Sequence, residues 1–374
     1  MLYENFSKGI NIGGWLSQYE FIAEQPLTPE NLKNHFDSFI TETDIKQIAG
    51  WGFDHVRLPV SGYLVYDPES ESLNPDTINR IHQYIEWCLN YHLNIVLDLH
   101  DVWGNVYGAM KDLMPLLSDV SLQNRFLKIW HLLAEEFKNV SKPVLLFELL
   151  NEVSDASGAY PDNDVTGNSF NPKDIPSFAW NKLCQKAVHE IRKSDPDRWI
   201  LIGSNGQNSV VYLKELQLIN DPYVFYNFHF YDPQVFTHQR ACFSEEMCEY
   251  NKVVSYPDDI SGFITYLQTH PQYYSKHALV ANESRNDKAL MDRLMQYAID
   301  FMDTAGKELY CGEFGVIDMA PVTDAAEWLR DLSAIMDMYH IGHAQWNYKY
   351  LDFGLLDLEG KPVSDLYKKV LTFH

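Results

Sequence analysis

The sequence predicts an α/β fold, a (β/α)8 TIM barrel with a small subdomain inserted after the sixth strand. Mostly apolar segments recur eight times, as expected for parallel strands that are covered on both faces. Segments of helical length separate them, so strand and helix alternate along the chain. A length of 374 residues is long for an ordinary domain but suits such a barrel with insertions.

The predicted strands span residues 9–13, 55–60, 94–100, 144–152, 199–204, 223–231, 308–316 and 342–348. The predicted helices begin at recognisable caps. The first starts at Asn74-Pro75, with proline at the first helical position, and runs to about His92. Three further helices are predicted after Ser121, after Ser177 and after either Asn286 or Asp287. The last two span residues 324–339 and 364–373.

Two connections are too long for ordinary loops. Residues 153–176 follow the fourth strand and are rich in Ser, Asp, Asn, Gly and Pro. Residues 232–286 follow the sixth strand and contain several tyrosines and phenylalanines, so we expect them to form the inserted subdomain. Residues 1–374 would then be one catalytic domain, with both long connections overhanging the rim at the carboxyl ends of the strands.

The composition excludes several classes of protein. The formal net charge is 29 − 52 = −23, which disfavours nucleic acid and anionic membranes as partners. Charged residues at 22% and aromatic residues at 14% argue against disorder. No stretch approaches the roughly 18 apolar residues of a membrane span. No Rossmann or P-loop glycine pattern occurs in the required strand–helix context, so we expect no organic cofactor.

The cysteines and the first residues bear on the cellular compartment. Five cysteines are an odd number, and no CxxC pair occurs, so free thiols in a reducing compartment are expected. Residues 1–8 do not combine a basic start with an apolar run, so the chain as it stands is expected to be cytoplasmic. A secreted chain from which a signal had been removed would look the same. We also expect a monomer.

Polar residues collect at the carboxyl ends of the predicted strands. They are Arg57, His100, Asn151, Glu152, His229, Tyr231, Glu313 and Trp346. Catalytic groups of (β/α)8 barrels project from this end. A lone glutamate there is more often a surface or ion-pair residue. Two glutamates that converge on one rim, Glu152 and Glu313, are the pair of carboxyl groups that cleavage of a glycosidic bond requires.

The motifs around these residues resemble glycoside hydrolase family 5, the cellulase family, whose signature is an Asn-Glu pair on strand 4 and a Glu on strand 7. The matching segments are Asn-Ile-Gly-Gly-Trp (11–15), His-Val-Arg-Leu-Pro (55–59), Leu-Asp-Leu-His (97–100), Phe-Glu-Leu-Leu-Asn-Glu (147–152), Asn-Phe-His-Phe-Tyr (227–231), Gly-Glu-Phe-Gly (312–315) and Trp-Asn-Tyr-Lys (346–349). They span nearly the whole chain. Within the family, the chain resembles the bacterial endoglucanase C type, which also carries an insertion after strand 6.

The resemblance implies a retaining glycoside hydrolase that acts on β-1,4-linked or mixed-linkage β-1,3-1,4-glucan and on their oligosaccharides. Glu152 would be the general acid and then the base, and Glu313 would be the nucleophile. The other six residues would bind substrate or support the carboxylates. Arg57 and Tyr231 would stabilise the nucleophile, Asn151 would hold the sugar 2-hydroxyl, His100 and His229 would orient hydroxyls or carboxylates, and Trp346 would form the floor under the cleaved sugar.

The motifs also predict roles for residues close in sequence to the eight candidates. Asp98 and Glu148 are expected to be buried structural partners, and His55 is expected in the lower barrel. Possible sugar platforms are Trp15, Trp103 and Phe243. The endoglucanase C type usually carries a second histidine where this chain has Asp101, so contacts to the glycone side should differ. We hypothesise that the 153–176 loop narrows the choice of substrate.

Other functions remain open at this stage. On the same barrel, the enzyme could be an exo-acting β-glucosidase, a β-1,3-glucanase or a β-mannanase, because glucose and mannose differ at a single hydroxyl. A metal-dependent hydrolase with ligands such as His100 and Asp101 is disfavoured, because the first strand lacks the His-x-His pair typical of that class. A non-catalytic carbohydrate-binding barrel is disfavoured because both carboxylates are present.

Overall fold

The computed structural model describes residues 2–105, 114–155 and 178–371. Eight parallel strands form a closed barrel in which each strand pairs with the next and the last pairs with the first. They are β1 (Lys8–Asn11), β2 (His55–Ser61), β3 (Asn94–Asp101), β4 (Leu145–Glu148), β5 (Ile200–Gly203), β6 (Val224–Phe230), β7 (Leu309–Phe314) and β8 (Gly342–Gln345). The predicted fold class is confirmed.

The longer α-helices lie in the connections between the strands. They span Pro29–Ser38, Glu42–Gly50, Pro75–Asn90, Val120–Phe137, Ala179–Arg192, Lys288–Ala305, Val322–Met338 and, after β8, Asp365–Leu371. The β5–β6 connection instead contains the 3-10 helix Val210–Glu215. Other α-helical segments are Gly62–Val65, Asn205–Asn208, Gln234–Thr237, Glu245–Tyr250, Ser261–Thr269 and Pro271–Tyr274, and the other 3-10 helices are Tyr19–Phe21, Pro115–Leu117 and Ser275–His277.

Two small antiparallel strand pairs lie outside the barrel. One joins Tyr66–Asp67 to Ser72–Leu73, and the other joins Asp258–Asp259 to Arg285–Asn286. The second pair, four of the α-helical segments and the 3-10 helix Ser275–His277 fall within the predicted insertion, but the boundaries 232–286 stay a prediction. Most of the 153–176 loop lies outside the described residues. Within the described part of the chain, no helix is both long enough and apolar enough to cross a membrane.

Side-chain caps explain where several helices begin. Asn74 accepts a hydrogen bond from the main-chain N–H of Asp76 at 3.0 Å, as predicted for that helix. The helix expected after Ser121 begins earlier, at Val120, because Asp119 caps it. The two helices before β2 were not predicted, although Thr28 and a Thr41–Asp44 capping box mark their starts.

The barrel interior changes from apolar to charged along its axis. Alternate residues of a strand share one face, so Val96, Asp98 and His100 of β3 face the same side. Val96 belongs to a buried apolar cluster with Leu2, Phe6 and their neighbours at the amino-terminal end of the barrel. His55 packs against Phe6 here, in the lower barrel as predicted. Asp98 and His100 lie above this cluster, toward the carboxyl-terminal rim.

The fourth strand is shorter than predicted. β4 ends at Glu148, whereas the expected strand continued to Glu152. The main-chain N–H groups of Leu149 and Asn151 still donate to carbonyl groups of the neighbouring strands. Glu152 then adopts a φ of 46°, which no strand can accommodate. The chain therefore leaves the barrel at the residue that carries the candidate acid.

Candidate active site

Arg57, on β2, is the centre of a polar cluster inside the barrel and is completely buried. Its Nε and Nη2 groups donate to the two carboxylate oxygens of Glu148 at 2.8 and 2.9 Å, a bidentate pair. Nη2 also lies 3.0 Å from Oδ2 of Asp98. Both acids are themselves fully buried, so their predicted role as buried partners is confirmed.

The same guanidinium extends this network to the rim. Nη1 donates to Oε1 of Glu313, and Nη2 donates to Oδ1 of Asn151, both at 2.8 Å. Burial alone would lower the pKa of Arg57, but Asp98, Glu148 and Glu313 together raise that pKa well above its ordinary value. Arg57 therefore stays charged, with one of its N–H groups directed at Glu313.

Glu313 points into the barrel because β7 contains a bulge. Cys311 pairs with Phe228 of β6 and Glu313 pairs with His229, so Gly312 is the extra residue. Strict alternation would put Glu313 on the same face as Cys311, which belongs to the hydrophobic core. A Cβ atom at position 312 would lie 2.8 Å from Nδ2 of Asn227, which explains the glycine.

Glu152 lies close to Glu313 at the rim, with His229 between the two in the contact network. Nδ1 of His229 lies 3.1 Å from Oε1 of Glu152 and 3.6 Å from Oε2 of Glu313. One side-chain oxygen or nitrogen from each of the three residues lies within 4.8 Å of the others. The Glu152 side chain is 21% exposed and that of Glu313 is 7% exposed. Glu152 is thus the more accessible of the two carboxyl groups.

Burial controls the protonation of the groups around this pair. It lowers the pKa of His229 to about 4, although Glu313 acts in the opposite direction, so the imidazole is neutral at pH 7. Burial also raises the pKa of Asp98 to about 7, despite the nearby positive charge of Arg57. Oδ2 of Asp98 lies 2.7 Å from Nδ1 of His100.

The remaining predicted residues join the same cluster. The Tyr231 hydroxyl donates to Oε2 of Glu313 at 3.0 Å. The rings of His100 and Trp346 are nearly parallel, with an interplanar angle of 3° and centroids 5.8 Å apart. The structure therefore brings together all eight residues that were predicted for the site, namely Arg57, His100, Asn151, Glu152, His229, Tyr231, Glu313 and Trp346. Their individual roles stay predictions.

Trp15 and Trp103, two of the proposed sugar platforms, both pack against other side chains or main-chain groups of the protein. Trp15 is 2% exposed, and its indole N–H donates to the carbonyl of Phe36 at 2.9 Å. The prediction that it is a platform is wrong, because its ring packs in the core. Trp103 packs against Tyr63, with ring centroids 4.3 Å apart, and the guanidinium of Arg125 lies 4.8 Å from its ring.

Phe243 and Asp101 occupy different positions beside the cluster. Phe243 is 56% exposed and meets His238 edge-on at 5.9 Å, and His238 lies 5.0 Å from the Tyr231 ring. An exposed ring this close to the cluster remains available as a platform.

Asp101 is buried and accepts a hydrogen bond from the Ser61 hydroxyl at 2.6 Å.

Within the described residues, Glu152, His229 and Glu313 are grouped closely enough to hold a metal ion. Both oxygens of Glu313, however, already accept hydrogen bonds, from Arg57 and from Tyr231. These two donors hold the Glu313 carboxylate in one orientation.

Two asparagines of the cluster were not predicted. Asn11 accepts from Nη1 of Arg57 and donates to the Gly312 carbonyl, both at 2.9 Å. Asn227 donates to Glu148 at 2.7 Å and accepts from the Gly312 N–H at 2.8 Å. They connect the buried ion pair to the bulge of β7. Asn227 precedes His229 by two residues, so strand alternation could have identified it.

Comparisons with known proteins identify the family. The profile described as "Cellulase (glycosyl hydrolase family 5)" matches residues 22–352. Endoglucanase C of Acetivibrio thermocellus is 38% identical over 98% of both chains. Cellodextrinase A of Ruminococcus flavefaciens is 31% identical over 89% of this chain and 83% of its own.

A solved structure shows the same fold. Thermotoga maritima Cel5A, in complex with cellobiose, superposes with a TM-score of 0.71 and 21% identity, covering 99% of this chain and 98% of its own. The family profile covers most of the chain, and the relatives above 30% identity extend over nearly all of it. The chain therefore belongs to glycoside hydrolase family 5, the cellulase family.

Proposed function

We propose that this glycoside hydrolase cleaves β-1,4-linked glucan, either cellulose-type or mixed-linkage β-1,3-1,4-glucan, and the corresponding oligosaccharides, with retention of configuration. Glu152 is the acid and base, and Glu313 is the nucleophile. The name of Endoglucanase C describes a glucanase that cuts within chains, and 38% identity over 98% of both proteins supports the same activity here.

The observation that carries the proposal is the short distance between the two carboxyl groups. Oxygens of Glu152 and Glu313 lie within 4.8 Å of each other. Retaining glycosidases hold their carboxyl groups about 5–5.5 Å apart, whereas inverting enzymes leave roughly 6.5–9.5 Å for a water molecule. The shorter separation supports a double displacement through a glycosyl–enzyme ester.

In the first step, a carboxylate oxygen of Glu313 attacks the anomeric carbon while the bond to the glycosidic oxygen breaks. Glu152 transfers its proton to that departing oxygen. Arg57 and Tyr231 each donate to one oxygen of Glu313, so the orientation of the nucleophile is restricted. The products of this step are the leaving sugar and the ester of Glu313.

In the second step, a water molecule attacks the anomeric carbon and the ester bond to Glu313 breaks. Glu152, now ionised, takes the proton of that water. Ester formation has neutralised Glu313, which removes the negative charge that favoured the protonated form of Glu152. The two inversions together return the configuration of the starting glycoside.

The other residues of the cluster suit substrate binding. Oδ1 of Asn151 accepts from Arg57, which orients the amide so that its NH2 group can donate to the sugar 2-hydroxyl. Hydrogen bonds to this hydroxyl strengthen in the transition state. The parallel rings of His100 and Trp346 form the side of the site on which the cleaved sugar rests in this proposal.

The Glu152→Gln variant is expected to lose about 10²- to 10⁴-fold in kcat/KM on β-glucan. Its kcat/KM on 2,4-dinitrophenyl cellobioside should stay close to that of the wild type, because this leaving group needs no proton. Steady-state rates on both substrates test the assignment. Equal losses on the two substrates would contradict a role as general acid.

Proton NMR of the first product tests the stereochemistry. A β-anomer that appears before mutarotation supports retention, and an initial α-anomer would exclude the double displacement. The reaction should use purified enzyme at a concentration that consumes the substrate within minutes. A Glu313→Gln sample provides the blank.

A second candidate is an enzyme restricted to short oligosaccharides or to chain ends, which the similarity to Cellodextrinase A supports. Chromatography of the products from barley glucan, carboxymethyl cellulose, laminarin, glucomannan and cello-oligosaccharides separates the possibilities. Mixed-length products from barley glucan or cellulose establish endo cleavage. Activity on short oligomers alone, or release of monosaccharide alone, moves the function to an exo-acting β-glucosidase. A preference for laminarin indicates a β-1,3-glucanase, and a preference for glucomannan indicates a β-mannanase.

A further inference from the structure

The turn after β5 has an unusual backbone. Gly206, Gln207 and Asn208 have consecutive left-handed φ angles of 58°, 61° and 56°. Glycine adopts this conformation freely, and asparagine tolerates it better than most residues. Gln207 is exposed, but the Asn208 side chain is completely buried. The left-handed turn therefore directs an amide into the protein at the catalytic rim.

The turn is attached to the segment that follows Glu152. The main-chain N–H of Gln207 donates to the Val153 carbonyl at 3.0 Å. The side chain of Asn205 accepts from the N–H of Asp155 at 2.6 Å and donates to its carbonyl at 2.9 Å. The position of Asn208 is thus linked to the backbone next to the candidate acid.

Asn208 contacts the histidine that lies beside the two carboxyl groups. Its Nδ2 lies 3.2 Å from Nε2 of His229. The other ring nitrogen, Nδ1, faces Glu152 at 3.1 Å and Glu313 at 3.6 Å. A Cβ atom on residue 203 would lie 2.4 Å from Oδ1 of Asn208, so Gly203 provides the space for this side chain.

The two ends of the His229 ring determine where its proton lies. A neutral imidazole carries one N–H and one lone pair. A lone pair on Nδ1 would face two carboxyl groups and be repelled by negative charge on either of them. The proton therefore resides on Nδ1, and Nε2 accepts a hydrogen bond from the Nδ2 group of Asn208.

We propose that Asn208 is a positioning residue of the reaction: by donating to Nε2 of His229, it fixes the tautomer in which Nδ1–H donates to Oε1 of Glu152. This inference rests on the proposed role of Glu152 as acid and base. The carbonyl oxygen of a carboxylic acid is a better acceptor than its hydroxyl oxygen, so the hydrogen bond from His229 to Oε1 favours the acid proton on Oε2. The same hydrogen bond holds the ionised Glu152 in the second step, so one orientation serves both steps.

The leaving-group dependence of Asn208→Gly tests the inference. Glycine accepts the left-handed backbone, so this variant removes the amide without backbone strain. Without the amide, His229 can carry its proton on Nε2. Its Nδ1 then accepts a hydrogen bond from protonated Glu152, which directs the acid proton away from the leaving group. We expect kcat/KM to fall about tenfold on phenyl cellobioside and to change less than about twofold on 2,4-dinitrophenyl cellobioside.

Gln207→Gly is the matched control, because it alters the same turn without touching His229. Its kcat/KM should equal that of the wild type on both substrates. Thermal unfolding of both variants establishes that they are folded at the assay temperature. If Asn208→Gly loses activity by the same factor on both substrates, Asn208 has only a structural role and the inference is wrong.

Asn208→Asp should reverse the hydrogen bond, because a carboxylate requires a proton on Nε2. His229 would then carry protons on both nitrogens and a positive charge. The charged or titratable groups that face it are Glu152, Glu313, Glu148, Arg57 and His100. Positive charge at His229 favours ionised Glu152, so the alkaline limb of the kcat/KM profile should move to lower pH. An unchanged profile would contradict the inference.

Nitrogen-15 NMR of histidine-labelled protein observes the tautomer directly, with a His229→Gln sample to assign the signal. The wild type should show a protonated Nδ1 and an unprotonated Nε2. The opposite tautomer would overturn the role of Asn208 and leave the proposed function intact. If Glu152→Gln kept wild-type rates on β-glucan, the proposed function would fail whatever tautomer is observed.

Discussion

Glu313→Gln is expected to lose at least about 10⁴-fold in kcat on β-glucan, because an amide cannot form the glycosyl–enzyme ester. Glutamine has nearly the same shape, its carbonyl oxygen can still accept from Arg57, and its NH2 group can donate to the Tyr231 hydroxyl, so the fold should be maintained. Release of reducing sugar measures the loss, and the thermal unfolding midpoint shows whether the protein is intact. Residual turnover within about tenfold of the wild type would contradict the assignment.

Azide rescue provides the matched control for the two carboxyl groups. In Glu313→Ala, azide can displace the leaving group once, on the side of the missing nucleophile, and yield an α-glycosyl azide. In Glu152→Ala, azide can attack the glycosyl–enzyme from the opposite side and yield a β-glycosyl azide, because two inversions occur. Substrates with a good leaving group should be used for both variants. Exchanged products would mean that the two roles are exchanged.

Arg57→Met is expected to destabilise the protein by about 3–5 kcal/mol at pH 7. The substitution leaves the buried acids Asp98, Glu148 and Glu313 without their shared cation. Buried carboxylates that lose a cation bind protons more readily in the folded state than in the unfolded state. Chemical denaturation at several pH values measures the effect.

The pH dependence of that loss has a definite sign. An acid whose pKa is raised in the folded state costs stability as pH rises through the interval between the unfolded and folded values. The deficit of Arg57→Met should therefore be smaller near pH 5 and larger near pH 8. Arg198 is also fully buried, but it pairs with main-chain carbonyls and with one acid, Asp195, which keeps a second cation in Lys142. Arg198→Met is therefore the control, with a weaker expected pH dependence. A deficit with the same pH dependence in both variants would contradict the explanation.

Periodicity predicted all eight strands of the barrel. Parallel strands that are buried on both faces are continuous apolar runs, and these runs can be recognised without tertiary information. The strand ends were less accurate, because regular ladder pairing, and not the apolar run, defines where a strand stops. The register of β4 with both neighbours ends at Glu148, although Leu149 and Leu150 continue the apolar run and single main-chain hydrogen bonds to the neighbours continue as far as Asn151.

The candidate site was predicted more completely than its surroundings. Motifs at the strand ends identified the eight residues, because side chains at that end of a barrel converge. Trp15 shows the limit of such an argument. It immediately follows one of the matching glycines, but its ring turns away from the barrel interior and packs near Phe36 and Tyr84. Proximity in sequence does not determine the direction of a side chain outside a strand.

The sequence by itself determined the order of strands and helices, the family, and the two glutamates that come to one rim. These features depend on local patterns of apolar and polar residues and on short motifs. Only the tertiary structure decided that a bulge at Gly312 turns Glu313 inward and that a left-handed turn brings Asn208 to His229. The bulge depends on the register between β7 and β6, and the contact of Asn208 with His229 depends on the backbone of the turn after β5. The residues of one strand alone do not specify either feature, because each forms only when the barrel closes.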